Sequence, residues 1–453
     1  MTMSSETRSN SSGAPRLQRA LTLRDLVFYG IILIQPTAPM PLFGVVYQEA
    51  RGHVVTTILI AMVAMLFTAI SYGRMARAYP SAGSAFTYVG RELHPSLGYV
   101  TGWSMAMDYM LNPVICTIWC SKAAGNIVPE IPYAVWIVFF VLLFTGLNLR
   151  GIRSTARTNE VLAAAMGVVI LWMFAATVRY LFAQPALGYG YFLKPLYDPA
   201  TFSMPLVFTG TSIAVLTYIG FDGISTLSEE VQNPRRNILL ATVITCLVTD
   251  VLASLEVYAA QLIWPSGQAF PDVDTAYVHV AGRAGGWILF QVVNMTLLVA
   301  TIGSGSGSQL AAARLLYGMG RDNALPKSFF GVIDPKRHIP RNNVLFTGAV
   351  ALVGGFLLSY QLGAEMLNFG AFIAFMGVNL AAFMRCFVRE RKHTLGNFLP
   401  PLAGFLICFY IWINLRTTAK IVGAAWVLVG ILYGAWKTKG FQASLVKFEM
   451  PEE

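Results

Sequence analysis

Gln35-Pro36-Thr37-Ala38-Pro39-Met40-Pro41 interrupts an apolar run from Phe28 to Val46, and Tyr218-Ile219-Gly220-Phe221-Asp222-Gly223 interrupts a second, from Met204 to Ser228. Neither insert suits a continuous helix. Three prolines strip backbone donors from the first, and two glycines flanking a carboxylate loosen the second. In lipid every backbone N–H and C=O needs a partner, so irregular backbone survives only where it is packed in protein or lines a cavity. A matched pair of such interruptions in two halves of a chain points to a solute site near the middle of the membrane.

The remainder of the chain fits that setting. Of 453 residues, 56% are hydrophobic and only 12% charged, against about 25% charged in a soluble domain. A span needs about 20 mostly apolar residues. Such stretches fall near 26–48, 53–73, 97–120, 131–149, 158–182, 204–228, 238–263, 285–308, 343–360, 365–384, 398–415 and 419–436. The expectation is an all-α polytopic membrane protein of 12 transmembrane helices, with helices 1 and 6 discontinuous. Residues 1–24 are polar, lack the apolar core of a cleavable signal, and read as a disordered cytosolic tail.

The net charge of +10 concerns topology rather than nucleic acid. Of the 32 Lys and Arg residues, 25 fall in the tails and in the loops after the even-numbered spans. The positive-inside rule then puts both termini in the cytoplasm. Cys116, Cys120, Cys246, Cys386 and Cys408 lie in or at the ends of spans, and the five histidines are scattered through loops. No metal site, nucleophile or cofactor is expected, and the chain does not read as an enzyme.

Spans 1–5 (25–182) and 6–10 (204–384) each open with a broken helix. Five is odd, so the second set enters the membrane from the opposite side, as in an inverted repeat. Residues 397–437 form accessory helices 11 and 12, and 438–453 a cytosolic tail.

Candidate binding residues gather at the breaks. Gln35, Thr37 and Ala38 are expected to face the solute. The half-helix beyond them offers the N–H groups of Leu42, Phe43 and Gly44 as an anion cradle, depleted by the prolines. In the second break Gly220 and Gly223 free the backbone, and Tyr218 and Phe221 suit gating or stacking on a cation. Asp222 has two readings of equal weight: contact with a substrate ammonium, or a cap on the second half-helix. On span 3, Asp108 is a coupling candidate beside Tyr109, a binding candidate. Glu160, Asp250 and Glu256 are further intramembrane carboxyls suited to carrying a proton or to bonding across helices, with Glu160, near a cytosolic end beside Arg157, equally suited to an ion pair. Glu229 and Glu230, near Arg235 and Arg236, suit coupling, gating or interfacial ion pairing. Ser304, in the run Gly303-Ser304-Gly305-Ser306-Gly307-Ser308, suits close helix packing or help in holding Na⁺.

Several stretches together resemble the amino acid–polyamine–organocation superfamily, and within it the bacterial putrescine importers. They are Ser71-Tyr72-Gly73-Arg74 with Tyr79-Pro80-Ser81-Ala82-Gly83-Ser84-Ala85, Gly102-Trp103-Ser104 with Asp108-Tyr109, Gly220 to Ser225 with Leu227-Ser228-Glu229-Glu230, Arg314 to Asp322, and Asn368-Phe369-Gly370-Ala371. The resemblance implies the five-plus-five inverted repeat of leucine-transporter type, with substrate held between helices 1, 3, 6, 8 and 10. It implies import driven by a cation gradient, usually of protons with Na⁺ as the alternative, and carries over Tyr109, Asp222 and Glu230 as substrate or coupling residues. One position departs: where those importers have an acidic residue late in the first break, this chain has Pro41. The sequence therefore describes a secondary active importer of a putrescine-like polyamine or an amino acid. It would work in the cytoplasmic membrane by alternating access, with an exchanger or uniporter of the same fold as the alternative and a non-transporting receptor as the more distant one.

Overall fold

The computed structural model describes residues 21–79, 84–150, 156–185, 187–227, 231–264, 267–321, 324–335, 337, 339–438 and 440. Residues 1–20 of the expected N-terminal tail (1–24), nearly all of the C-terminal tail (438–453), Pro80 to Gly83, and Glu229 and Glu230 lie outside the described residues. The last residues of the expected N-terminal tail are instead ordered, Leu21 bridging Val231 and Thr22 capping the first helix. The chain runs as α1 (Leu23–Ile34), α2 (Pro39–Glu49), α3 (Val54–Ala78), α4 (Ser84–Glu92), α5 (Pro95–Gly125), α6 (Tyr133–Arg150), α7 (Ala156–Phe182), α8 (Tyr189–Leu193), α9 (Met204–Ala214), α10 (Pro234–Ile263), α11 (Ala276–Arg321), α12 (Lys327–Phe330), α13 (Arg341–Leu357), α14 (Tyr360–Phe383), α15 (Leu395–Ile413) and α16 (Thr417–Lys437). Among the described residues the one β feature is an isolated bridge between Leu21 and Val231.

Helix stands at every stretch read as a span. Among the described residues, nine helical segments are long and apolar enough to cross a membrane. The other three positions hold the α1/α2 pair, the 31-residue α5 and the 17-residue α13. Leu142, Leu171, Trp287, Leu357 and Trp436 are more than half exposed on the outside of the bundle, the surface that lipid would cover.

Inside the bundle, small residues rather than a hydrophobic drive bring helices together, since acyl chains are as apolar as leucine. A Cβ on Gly30 of α1 would stand 2.6 Å from Ile224 and from Thr245 of α10, so α1 rests directly on the second broken helix. A Cβ on Gly305 would stand 2.5 Å from the Phe144 ring of α6, so within the Gly/Ser run of α11 Gly305 is the glycine at a close helix contact, whereas Gly303 and Gly307 have open space beside them. That helix bends at Gly286 (φ 75°). The central α5 is covered by α4, α6, α11, α13, α14 and α16, which makes it the least lipid-facing helix and the natural wall of an interior site.

Candidate functional site

Each broken helix turns on one residue with positive φ. Gln35 (φ 70°) ends α1, its N–H bonded to the Ile31 carbonyl at 2.9 Å. Its side-chain amide donates to the Ala300 carbonyl of α11 at 2.9 Å. Ala38 N–H bonds the Gln35 carbonyl and Met40 N–H the Thr37 carbonyl, both at 3.1 Å, closing a tight turn. Thr37 is buried, its hydroxyl 3.9 Å from the Met166 sulfur of α7.

This interruption is shorter than the sequence suggests: it covers 35–38, and Pro39 and Pro41 are already helical. Proline fits the first turn of a helix, where its missing donor would be unpaired anyway. The expected anion cradle does not form. Of the first three residues of α2 only Met40 has an N–H, and that one is spent on Thr37; Leu42 to Gly44 fall within the helix.

The second interruption tightens rather than unravels. After α9 the chain continues as a 3-10 turn over Val215–Tyr218, changes direction at Ile219 and Gly220 (φ 120°), and resumes as 3-10 helix over Phe221–Leu227. Gly223 N–H bonds the Gly220 carbonyl at 3.0 Å. Such a mid-helix 3-10 stretch commonly marks a hinge. Backbone N–H groups of Gly220, Asp222 and Gly223 turn toward the Asp222 carboxyl, the capping geometry, and the Tyr109 hydroxyl meets the same carboxyl from α5.

Asp108 is the electrostatic neighbour of Asp222 across this space, and each is 8% exposed. Tyr29 of α1 and Tyr72 of α3 face the same cluster, and the Tyr72 hydroxyl is buried without a hydrogen-bond partner. Among the described residues no ion pair joins either carboxyl to a Lys or Arg. Two carboxyls and three phenols thus gather around the second break.

Other expected residues turn elsewhere. Tyr218 is fully buried, its hydroxyl donating to Asp250 of α10 at 2.7 Å and to the Ile58 carbonyl of α3 at 3.2 Å. Phe221 packs edge-on to Tyr72 (5.4 Å) and against Phe375 (5.5 Å). Ser304 faces Cys116 of α5, one turn along α11 from the carbonyl that Gln35 meets.

Two ion-pair clusters were not singled out in the sequence. At the end of the bundle where α4 meets α14, the buried Glu92 carboxylate takes Arg385 at 2.7 Å, Arg389 at 2.8 Å and the Tyr79 hydroxyl at 2.8 Å. A π-helical turn over Met384–Arg389 sets the two arginines side by side; their four-residue spacing was the available signal. At the opposite end, Lys122 pairs with Asp272 (3.3 Å) and Asp274 (3.9 Å) of the α10–α11 connection. Trp119 Nε1 donates to the Asp274 carbonyl at 2.8 Å. Phe270 packs on Trp264 (4.7 Å), Tyr47 (5.2 Å) and Phe43 (6.0 Å), so residues 267–275 lie over α2. Burial and the neighbouring Asp272 push the Asp274 carboxyl up to about 6, against the pull of Lys122. Beside this clasp lies a cavity of about 480 Å³ lined by Ile118, Lys122, Tyr133, Asp274, Leu358, Ser359 and Tyr360.

Comparison with known proteins gives this geometry a context. The family model for amino acid permeases matches residues 40–448. The chain belongs to the amino acid permease family. The permease is 34% identical over 445 residues to the low-affinity putrescine importer PlaP of Escherichia coli K12, covering 96% of each chain. It is 27% identical over 456 residues to the branched-chain amino acid permease BcaP of Lactococcus lactis (91% and 93% of the two chains). To the methylthioribose transporter of Bacillus subtilis it is 26% identical over 469 residues (94% and 95%). Family and relatives alike are transporters, so this permease is a multi-pass membrane transporter and not an enzyme.

Proposed function

We propose that the permease imports a small organic amine of the putrescine class across the cytoplasmic membrane, driven by protons and working by alternating access. The observation that carries the reading is that Asp108 and Asp222 are electrostatic neighbours beside Tyr29, Tyr72 and Tyr109, with no Lys or Arg paired to either among the described residues. A diamine brings two ammonium groups to such a site, and phenol rings add cation–π attraction. Asp108 thereby takes up the role of a second acidic anchor, which Pro41 leaves vacant in the first break. The similarity to a putrescine importer over 96% of the chain supports the same substrate class.

In this reading the twelve helices form two inverted sets of five plus two accessory helices, and both termini are cytosolic. The Glu92 cluster then lies at the cytosolic end and the Lys122 clasp at the outer end. Helices 1 and 6 would rock about Gln35 and Gly220. A second reading, import or exchange of an amino acid, draws on BcaP among the relatives. Against it stands the first turn of α2, whose two prolines leave no free N–H for a substrate carboxylate.

Uptake of labelled putrescine into proteoliposomes, with competition by a panel of diamines and amino acids and with or without a pH gradient, decides between them. Competition by diamines and acceleration by an acidic exterior are the expected results. Competition by neutral amino acids alone would overturn the amine assignment.

A further inference from the structure

Two phenols beside the amine site carry hydroxyls that do nothing for the fold. Tyr72 of α3 and Tyr88 of α4 are fully buried, and neither hydroxyl has a hydrogen-bond partner. Both face Asp222, and Tyr72 faces Asp108 as well. The neighbouring polar groups are already paired. Tyr109 meets the Asp222 carboxyl. The Ser225 hydroxyl, beside Tyr88, donates to the Asp222 carbonyl at 2.6 Å and accepts from Ser84 at 3.1 Å. The rings pack well without their hydroxyls: Tyr72 stands edge-on to Tyr88 (6.2 Å), Phe221 (5.4 Å) and Phe375 (6.2 Å). The pair lies on the side of Asp222 toward the Glu92 cluster, since Tyr88 is one turn before Glu92 on α4 and Tyr72 two turns before Tyr79, the residue after α3.

A buried hydroxyl without a partner is a cost that phenylalanine would avoid. Such a group in a native fold calls for a reason, and the surroundings supply one. A phenol accepts a hydrogen bond as well as donating one. A primary ammonium has three N–H donors; the Asp222 carboxylate and the two hydroxyls offer it acceptors around one space, and the aromatic faces add cation–π attraction. An N-methylated ammonium keeps the charge but loses donors. A site built to bond a donor rejects an analogue that lacks it, because the site's own polar groups are then left unpaired. Access follows from the hinge. Phe221 covers Tyr72 and stands next to Gly220, at the start of the 3-10 segment Phe221–Leu227. In the proposed cycle its swing uncovers the Tyr72 hydroxyl, and the parting of Ser84 from Ser225 uncovers that of Tyr88.

We propose that Tyr72 and Tyr88 bind an ammonium group of the substrate together with Asp222, and that their hydroxyls select primary amines over N-methylated ones. The inference rests on the amine reading above, so the test separates the two. Purified permease in proteoliposomes is assayed for kcat/KM of putrescine uptake and for competition by N,N,N′,N′-tetramethylputrescine. The wild-type protein is expected to take up putrescine and to bind the methylated amine tenfold or more weakly. Tyr72→Phe and Tyr88→Phe are each expected to lower kcat/KM for putrescine about tenfold while leaving competition by the methylated amine within about twofold. Each variant should also unfold in detergent at the wild-type temperature or above it, since the hydroxyl removed was unpaired. Folded variants that keep the wild-type kcat/KM for putrescine overturn the inference, as do variants that lose putrescine and the methylated amine equally; in both cases the importer reading stands. A wild-type protein that takes up no amine would instead remove the importer reading, and the inference with it.

Discussion

Asp222 suits both roles that the sequence left in balance. Its carboxyl collects the N–H groups of its own turn and the Tyr109 hydroxyl, the geometry of a cap, and in the proposed function it also offers its negative charge to the space shared with Asp108. Asparagine keeps the shape and can still accept from an N–H, but it loses the charge. Asp222→Asn is expected to insert normally and to lower initial putrescine uptake tenfold or more, since every tenfold in affinity is about 1.4 kcal/mol; unchanged uptake would remove Asp222 from the amine site. Glu92 shows the opposite economy: a buried carboxylate fully committed to Arg385, Arg389 and Tyr79. Removing one member of a buried ion cluster leaves the others uncompensated, a cost of about 3 kcal/mol where the arginines retain some solvent. Glu92→Ala is therefore expected to lower the thermal unfolding temperature in detergent by several degrees, and Glu92→Gln by less.

Among the elements, the 267–275 connection is expected to dock in a pH-dependent way. Asp274 has its carboxyl at about 6 when docked, against 3.8 for an ordinary aspartate. The docked form thus binds its proton more tightly, and acid favours docking even though it neutralises the partner of Lys122. Between about pH 4 and 6 the docking equilibrium should strengthen by up to tenfold for each unit of acidification, and the advantage is lost as pH rises through 6. Spin labels at positions 130 and 268, both exposed, would read this as a longer, broader distance distribution at pH 8 than at pH 5. Asp274→Asn, which cannot ionise, should give the docked distance at both. A pH-independent distance in the unsubstituted connection would contradict the assignment. The broken helices show a related dependence on context: the three prolines were legible as a break, but Pro39 and Pro41 turned out to begin α2 rather than prolong the gap. Sequence counts missing donors; only the helix start decides that those donors were never needed.

For the whole molecule, charge bias makes the topology testable. With both termini in the cytoplasm, single cysteines at position 10 and position 450 should react with an impermeant maleimide only after the membrane is permeabilised, whereas one at position 130 should react in intact cells. Labelling of either terminus from outside would reverse the assignment of the Lys122 and Glu92 ends. The helical stretches, their apolarity and the places where two of them cannot continue follow from composition and from the backbone chemistry of proline and glycine, which act locally and are readable along the chain. The encounter of Asp108 with Asp222, the convergence of Tyr72 and Tyr88 on Asp222, and the grip of Arg385 and Arg389 on Glu92 join residues more than 100 to nearly 300 positions apart. Nothing local encodes them: each depends on which faces of α3, α4, α5 and α14 turn inward, and that is settled by how small residues such as Gly30 and Gly305 let neighbouring helices approach.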